Sequence, residues 1–304
     1  MLLTAMLRGA GLEAHPVLIS TRDNGKISQN FSTLGQFNHV LTYAKAGDRE
    51  YLLDATDPLR PYDLLPVAAL NEVGWLVDAK NPRWIEIPAA GNFANQTTVL
   101  AKLTAEGAIT ARLMSSDAGY SGLFNRRQLR EQKTEAYIRD GWLKEFTGAR
   151  LDSFKISNND STPQPLMTEA HFTLADYAQM RGDSLFLNPI LFGRVKENPF
   201  KRPERAFPVD FAYPSKLMYI LNLTLPHGYA IGQLLRNIAI SLPNEAGHFQ
   251  RLAQVEGNTL QFTTQFIIRK PRFDPPEYQA LREFYDRVVA AQAEQIVLKR
   301  GETN

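Results

Sequence analysis

Residues 37–54 read FNHVLTYAKAGDREYLLD and contain two apolar runs separated by a turn signal. The turn signal is Lys45-Ala46-Gly47-Asp48, so the segment is predicted to form a β-hairpin. If the turn is centred on the bond between its Ala and Gly, His39 and Asp54 face each other across the two strands. Directly opposed side chains lie about 5 Å apart at Cβ. This spacing lets the imidazole Nδ1–H of His39 reach the carboxylate of Asp54.

A histidine held by a carboxylate in this way is the base and orienting half of a Cys-His-Asp centre. The sequence contains no cysteine, so the nucleophile of such a centre is missing. His39 and Asp54 are therefore candidate catalytic residues without their thiol. A second interpretation stays open, in which the two side chains are a satisfied polar pair at a sheet edge.

Other residues near His39 in the sequence could replace the missing nucleophile with a hydroxyl or replace Asp54 with another carboxylate. Five hydroxyl side chains fall in a polar loop predicted between residues 20 and 36, rather than at a helix N-terminus, where a nucleophile gains from the helix dipole. We assign all five to the loop: Ser20, Thr21, Ser28, Ser32 and Thr33. Asp57 precedes a proline and Asp63 follows a Pro-Tyr pair, so each of these alternative carboxylates is predicted to shape a turn.

The order of elements around these residues resembles that of bacterial transglutaminase-like proteins. A short apolar helix at residues 2–8 precedes a turn at 9–14, a strand at 16–20, the His39 strand and the Asp54 strand. The resemblance covers residues up to about 70 and implies a catalytic cysteine at the start of the helix, with His39 as its base and Asp54 as the orienting acid. Because the helix begins at or before the first residue, we expect the chain to start a few residues too late to include that cysteine.

The N-terminal helix supports the same expectation on physical grounds. Its apolar residues, among them Leu2 and Met6, recur at helical spacing, and Gly9 supplies a stop. A helix of two turns with no N-cap falls well below the ~12–15 residues at which an isolated helix becomes marginally stable. We therefore expect packing to hold it. The alternative that Met1 is the natural start of a short helix stays open.

The resemblance extends to the C-terminal part of the chain. Residues 278–289 and 294–299 are similar to the C-terminal region of the same multidomain family, whose function is unknown. Asp274-Pro275-Pro276-Glu277 combines an N-cap, a proline at the first helical position and an acid at the third, which predicts the start of an amphipathic helix. The apolar face of this helix is expected to lie against a sheet.

The polar residues 89–95 are the best candidate for a domain boundary, and the sequence changes character after them. Alternating apolar residues predict a hairpin at 99–113 and long strands at 217–225 and 260–268, each with one buried face. Residues 120–146 are predicted to be helical, with Gly141 as the interruption.

These patterns predict an α+β fold in two parts. Residues 1–92 would form a truncated transglutaminase-like (papain-like) core. Residues 93–304 would form an antiparallel β-sandwich-like region with amphipathic helices, which divides further near residues 190–205.

Composition excludes several functional classes. The 34 basic and 32 acidic residues leave a net charge of +2 without a long block of one sign, so no nucleic-acid surface is predicted. No apolar run approaches the ~20 residues of a membrane span, and no secretory signal is found. No cofactor and no metal site are predicted. Localisation stays open, and a periplasmic or extracellular full-length parent is compatible with the resemblance.

The most basic patch lies between residues 192 and 207. Its members are Arg194, Lys196, Lys201, Arg202 and Arg205, interleaved with Phe192, Phe200 and Phe207. We predict a solvated loop here. A binding stripe formed by the aromatic residues of the C-terminal region is an alternative to their placement in a core.

The resemblance implies a cysteine acyl-transferase or peptidase that acts on peptide amide bonds, with a protein or peptide as substrate. Without its cysteine the chain as given is expected to be inactive. The competing hypothesis is a non-catalytic binding or scaffold module in which the β-rich region recognises a partner.

Overall fold

The computed structural model describes residues 1–30, 33–89 and 91–301, and the chain divides into two compact units. The first unit is Met1–Phe93 with Phe211–Pro214, and the second is Ala94–Asp210 with Ser215–Asn304. Independent folding of residues 93–304, with residues 1–92 as an incomplete core, remains a prediction.

The described part of the first unit contains one short α-helix and five strands. These are α1 (Leu2–Gly9), β1 (Glu13–Ile19), β2 (His39–Ala46), β3 (Arg49–Leu53), β4 (Val73–Leu76) and β5 (Arg83–Glu86). The strands form one antiparallel sheet in the order β3-β2-β1-β4-β5. The core of this unit is centred on β1 and β2, where Val17, Ile19 and Leu41 are fully buried.

The helix α1 is connected to the sheet by a tight link and two side-chain hydrogen bonds. Gly11 adopts a φ of 82°, which allows the chain to turn directly from α1 into β1. Arg8 Nε donates to the carbonyl oxygen of Ala14 at 2.7 Å, and the hydroxyls of Thr4 and Thr42 lie 2.9 Å apart. The predicted helix is confirmed, but Thr4 is its only buried residue. The expected packing of its apolar stripe is observed in part: α1 contacts β1 and β2 and its Leu3 and Leu7 are half-buried, whereas Leu2 and Met6 are exposed.

The second unit contains the remaining elements. These are β6 (Phe93–Leu103), β7 (Ile109–Gly119), α2 (Tyr120–Glu131), α3 (Thr134–Ile138), β8 (Arg150–Ser157), β9 (Leu166–Leu174), β10 (Gln179–Arg181), β11 (Ser184–Leu187), β12 (Val209–Asp210), β13 (Ser215–Thr224), β14 (Tyr229–Gln233), β15 (Ile238–Ser241), β16 (Gly247–Glu256), β17 (Thr259–Ile268), β18 (Arg272–Phe273), α4 (Tyr278–Ala293) and β19 (Ile296–Arg300). Short turns of 3-10 helix and one π-helical turn at Arg139–Leu143 complete the secondary structure.

The described residues of the second unit form three sheets. An eight-stranded sheet has the order β15-β16-β17-β13-β6-β7-β9-β8, a four-stranded sheet has the order β10-β11-β19-β14, and β12 pairs with β18. One apolar cluster draws on the two larger sheets, with Leu113, Leu221 and Leu298 among its most buried members. No helix in the described part of the chain is long and apolar enough to cross a membrane.

Several predicted elements of the second unit are confirmed. The strands predicted at 217–225 and 260–268 are β13 and β17, which pair with each other along their whole length. Asp274 and Glu277 form a reciprocal capping box ahead of α4. The ring of Phe266 on β17 lies 5.8 Å from that of Phe284 on α4, so this helix packs against a sheet as expected.

The predicted α+β fold class is wrong. Strands account for 41% of the structure and helices for 19%, arranged as multiple sheets without a clear papain-like core. Among the described residues, the first unit has one α-helix, the eight-residue α1, beside five strands, and the β-rich region has three sheets of unequal size instead of a sandwich. The helix predicted at 120–146 is also shorter, because α2 ends at Glu131 and only α3 and the π-helical turn follow.

Candidate functional site

His39 is the first residue of β2, directly opposite Ile19 on β1. The preceding residue fixes the loop that leads into this strand. Asn38 Oδ1 accepts a hydrogen bond from the backbone N–H of Thr21 at 2.8 Å, and Asn38 Nδ2 donates to the hydroxyl of Thr21 at 2.7 Å. The imidazole of His39 is therefore presented at the start of a strand that pairs with β1 and is entered by a fixed loop, and its side chain is 28% exposed.

The predicted hydrogen bond between His39 and Asp54 is confirmed. The imidazole Nε2 lies 2.7 Å from Asp54 Oδ2, and the Asp54 side chain is 1% exposed. The contact uses Nε2 and not Nδ1, so the predicted nitrogen is wrong. Within the described residues Nδ1 has no hydrogen-bond partner. This leaves Nδ1, on the partly exposed ring, available to a reacting group.

The predicted register of the hairpin is wrong by two residues. Thr42 pairs with Leu53, and the turn between the strands consists of Gly47 and Asp48. A two-residue hairpin turn requires positive φ at its centre, and Gly47 provides it with a φ of 61°. Asp54 therefore lies just beyond the end of β3, and its side chain reaches His39 diagonally instead of from a directly opposed position.

The second oxygen of the Asp54 carboxylate has its own set of donors. Asp54 Oδ1 accepts hydrogen bonds from the backbone N–H of Thr56 at 2.9 Å, from the Thr56 hydroxyl and from Arg60 Nη2. The Arg60 side chain is only 2% exposed, and its Nε has no hydrogen-bond partner in the described part of the chain. The carboxylate is thus held by three residues, with one oxygen turned to His39.

These contacts keep Asp54 ionised. Burial acts to raise the pKa of its carboxyl, but the hydrogen bonds from Thr56 and His39 and the positive charge of Arg60 outweigh burial. The pKa of Asp54 therefore lies below its ordinary value of 3.8. A fixed carboxylate of this kind stabilises a positive charge that forms on the imidazole beside it.

Sequence reasoning missed Thr56 and Arg60. Thr56 had a usable signal, since an aspartate followed two residues later by a backbone donor is typical of an Asx turn. Arg60 had none, because its position six residues after Asp54 says nothing about the direction of its side chain. Both residues lie in the loop after β3, where the chain returns to the carboxylate.

The alternative candidates have structural roles where the structure describes them. The Ser20 hydroxyl donates to the carbonyl oxygen of Gly25 at 2.7 Å, and Thr33 caps a single 3-10 turn. Thr21 bonds Asn38, as described above, and the backbone of Ser28 bonds the side chain of Gln36. Their assignment to the loop is confirmed, and Ser32 lies outside the described residues.

The outcome differs for the two alternative carboxylates, Asp57 and Asp63. Asp57 Oδ1 accepts a hydrogen bond from the backbone N–H of Leu59 at 2.8 Å, so its predicted role in a turn is confirmed. The role of Asp63 remains a prediction.

Comparisons with known proteins found one matching domain family and a solved structure with a similar fold. Residues 183–298 match DUF3858, described as a domain of unknown function with a solved structure. No curated protein matches the chain. The fold is similar to the crystal structure of a "putative protease" from Parabacteroides distasonis ATCC 8503, with a TM-score of 0.51 and 12% sequence identity. The similarity covers 98% of this chain and 42% of the Parabacteroides chain, so this chain spans less than half of that protein's length.

Proposed function

We propose that the first unit carries the base and the orienting acid of a thiol-dependent acyl-transfer centre of transglutaminase-like ancestry, which acts on peptide amide bonds. The observation that carries the proposal is the hydrogen bond from His39 Nε2 to Asp54, whose carboxylate is itself fixed by Thr56 and Arg60. A satisfied polar pair at a sheet edge does not need a buried arginine to immobilise its acid. A catalytic histidine does need a fixed acid, because its tautomer and orientation must be set before the reaction.

In this proposal each residue has a defined role. His39 Nδ1 takes the proton of a thiol, and the thiolate attacks the carbonyl carbon of an amide. The imidazolium returns the proton to the leaving amine as the C–N bond breaks, which leaves a thioester. Water or an acceptor amine then attacks the thioester, with His39 again as base, and the thiol is restored. Asp54 holds the ring and stabilises its positive charge, and Arg60 and Thr56 position Asp54.

The geometry indicates where the thiol would have to stand. The short link at Gly11 sends α1 and β1 in opposite directions, so α1 runs parallel to β2, and Thr4 marks the level of Thr42. His39 lies three residues before Thr42, about 10 Å along the strand. A helix rises 1.5 Å per residue, so about seven residues before Thr4 are needed to reach the level of His39. The nucleophile would therefore stand about four residues ahead of Met1 on a helix extended backwards.

A cysteine scan tests the proposal directly. Because the protein has no cysteine, a single cysteine can be placed at each of the positions one to six residues ahead of Met1, on a helix-forming alanine extension. We expect one position to react with iodoacetamide about tenfold faster than the others at a pH below the ordinary thiol pKa of about 8.5, because His39 stabilises the thiolate there. The same variant should hydrolyse or transamidate a fluorogenic glutamine peptide.

The controls separate the site from general reactivity. His39→Ala in the fast variant should return its alkylation rate to that of the others. Met6→Cys places an exposed thiol on the same helix away from the proposed position and should be insensitive to His39→Ala. Equal alkylation rates along the whole scan, with and without His39, would overturn the proposal and favour the polar pair.

A further inference from the structure

The second unit contains a pocket of about 700 Å³ that the proposed acyl-transfer centre does not use. Its wall includes three aromatic rings, of which Phe192 contacts the other two. The Phe192 ring lies 6.4 Å from that of Trp142 and 5.6 Å from that of Phe146. Its polar lining includes Asn95 and Asp117. The volume and the mixture of apolar walls with a few polar groups are typical of a binding site for a small ligand.

The wall of the pocket that follows β11 is an irregular segment at residues 188–195, and buried side chains hold it in place. The Tyr219 hydroxyl donates to the carbonyl oxygen of Pro189 at 3.0 Å and accepts from the N–H of Leu191 at 3.2 Å. Gln292 Oε1 accepts from the N–H of Val195 at 2.7 Å. The segment is thus fixed by partners on β13 and α4, and a ligand that contacts it meets a preformed surface.

The charges in the pocket lining leave one cation without a carboxylate. Glu145 is paired with Lys196. Asp117 accepts hydrogen bonds from Asn95 and Ser121 and lies near the charge of Arg126. Arg194 also lines the pocket, is half-buried, and has no ion-pair or hydrogen-bond partner within residues 91–301.

Arg194 and Tyr177 line the same pocket, and their side chains interact electrostatically. Burial raises the pKa of the Tyr177 phenol above its ordinary value, and the nearby charge of Arg194 opposes this rise. Tyr177 lines the pocket, its ring lies 5.9 Å from that of Phe146, and its hydroxyl donates to the carbonyl oxygen of Asn188. The pocket therefore combines one available guanidinium with adjacent aromatic rings.

We propose that this pocket binds the C-terminal end of a peptide, with the terminal carboxylate on Arg194 and the last side chain, apolar in character, against Trp142 and Phe192. One guanidinium without a partner matches one carboxylate, which it can bind through two parallel N–H···O bonds. The proposal goes beyond the acyl-transfer function and does not depend on His39. It gives the basic patch of residues 192–207 a specific role at one of its arginines.

Calorimetric titration of the full chain with two matched peptides tests the proposal. The probes are N-acetyl-dialanyl-phenylalanine with a free C-terminal carboxylate and the same peptide as its C-terminal amide. We expect the acid to bind at least about tenfold more tightly than the amide, because a hydrogen-bonded charge pair contributes more than a neutral contact. Arg194→Gln should remove this preference, and Arg194→Lys should retain part of it because the charge remains.

A matched control distinguishes a specific role of Arg194 from the loss of a positive charge elsewhere on the protein. Arg236→Gln removes an exposed arginine that does not line the pocket and should leave the binding of both peptides unchanged. Thermal melting of each variant verifies folding. Three outcomes would overturn the proposal. The protein binds the acid and the amide with equal affinity, or it binds neither peptide. In the third outcome, Arg194→Lys folds but binds the acid no better than Arg194→Gln does. Binding of glucuronate without binding of the peptide acid would also overturn it and indicate a sugar acid as the ligand.

Discussion

Helices α1 and α4 have the same kind of apolar periodicity, but only α4 is covered. On α4 the residues Leu281, Phe284 and Val288 are buried. On α1 the side chains of Leu2 and Met6 are 75% and 62% exposed. The difference shows that periodicity identifies a helix and its apolar face, whereas coverage of that face depends on long-range contacts that the local sequence does not contain.

The two units that contain these helices also depend on different interactions. The second unit has an extended apolar core, to which both of its larger sheets contribute. The first unit is smaller and includes the buried pair of Asp54 and Arg60 beside its candidate site. We therefore expect the second unit to respond most to the loss of apolar burial and the first to respond strongly to the loss of a charge partner.

Removal of α4 should have the largest effect. Burial of each of its large apolar side chains contributes about 1.5–3 kcal/mol, so deletion of residues 275–304 is expected to cause aggregation or loss of a cooperative melt. Phe284→Ala, as a milder change, should lower the free energy of unfolding by about 3–5 kcal/mol. Urea unfolding followed by circular dichroism measures both.

Two further proteins complete this test. The exposed neighbour Glu283→Ala should leave the free energy of unfolding nearly unchanged. Deletion of residues 1–92 should leave a cooperative transition, if the β-rich region folds by itself. A disordered spectrum from that fragment would mean that the two parts share one core, and it would favour the scaffold hypothesis.

Asp54→Ala should have the next largest effect and should act on the first unit. It leaves the buried Arg60 without its carboxylate, and loss of one partner of a buried ion pair costs about 3–5 kcal/mol. Trp75 and Trp84 lie in the first unit and report its unfolding by fluorescence. Asp63→Ala, at an exposed position in the same unit, is the matched control. Equal unfolding midpoints for the two variants would show that the pair does not stabilise this unit.

The pH dependence of stability should show a smaller effect of the same pair. The pKa of Asp54 is lowered in the folded protein, so its contribution is complete above the unfolded value of about 3.9 and is lost as the pH falls through the lower folded value. The difference in stability between the wild type and Asp54→Asn should therefore be constant near neutral pH and shrink at acid pH below about 4. A difference that grows as the pH falls would contradict the lowered pKa.

The smallest expected signal is enzymatic: this chain should show no amidase or transglutaminase turnover. It lacks a thiol, and none of the described hydroxyls considered as substitutes is hydrogen-bonded to His39. Incubation with a fluorogenic glutamine-donor peptide and an amine acceptor should match the buffer blank. A rate that His39→Ala abolishes would show that another nucleophile operates in this protein.

Local sequence patterns predicted individual helices and strands well, but they predicted the fold class and the hairpin register less well. The capping box at Asp274 and Glu277 and the paired strands β13 and β17 follow from turn residues and alternation, which are properties of neighbouring residues. The fold class was wrong because an α+β core requires helices packed on a sheet, and the one α-helix in the described part of the first unit is the largely exposed α1. The predicted hairpin register was wrong because the register depends on which residues form the turn. The prediction centred the turn between Ala46 and Gly47, whereas Gly47 and Asp48 form it.

The candidate site shows the same division. The contact of His39 with Asp54 could be predicted because the two residues flank one hairpin. The contribution of Arg60 could not be predicted, because a loop of irregular backbone brings it to Asp54 and no periodicity describes such a loop. The unpaired state of Arg194 likewise could not be predicted, because only the folded structure shows that Glu145 and Asp117, the two acids of the pocket lining, bond other residues.

The protonation of the His39 ring tests the central claim most directly. Long-range 1H–15N NMR correlations distinguish the two tautomers of the neutral imidazole, and His39→Ala identifies its signals among those of the five histidines. The account predicts a proton on Nε2, donated to Asp54, and an unprotonated Nδ1 that is available to a thiol. A proton on Nδ1 of the neutral ring would contradict it, because His39 then could not accept a proton from a thiol at that nitrogen.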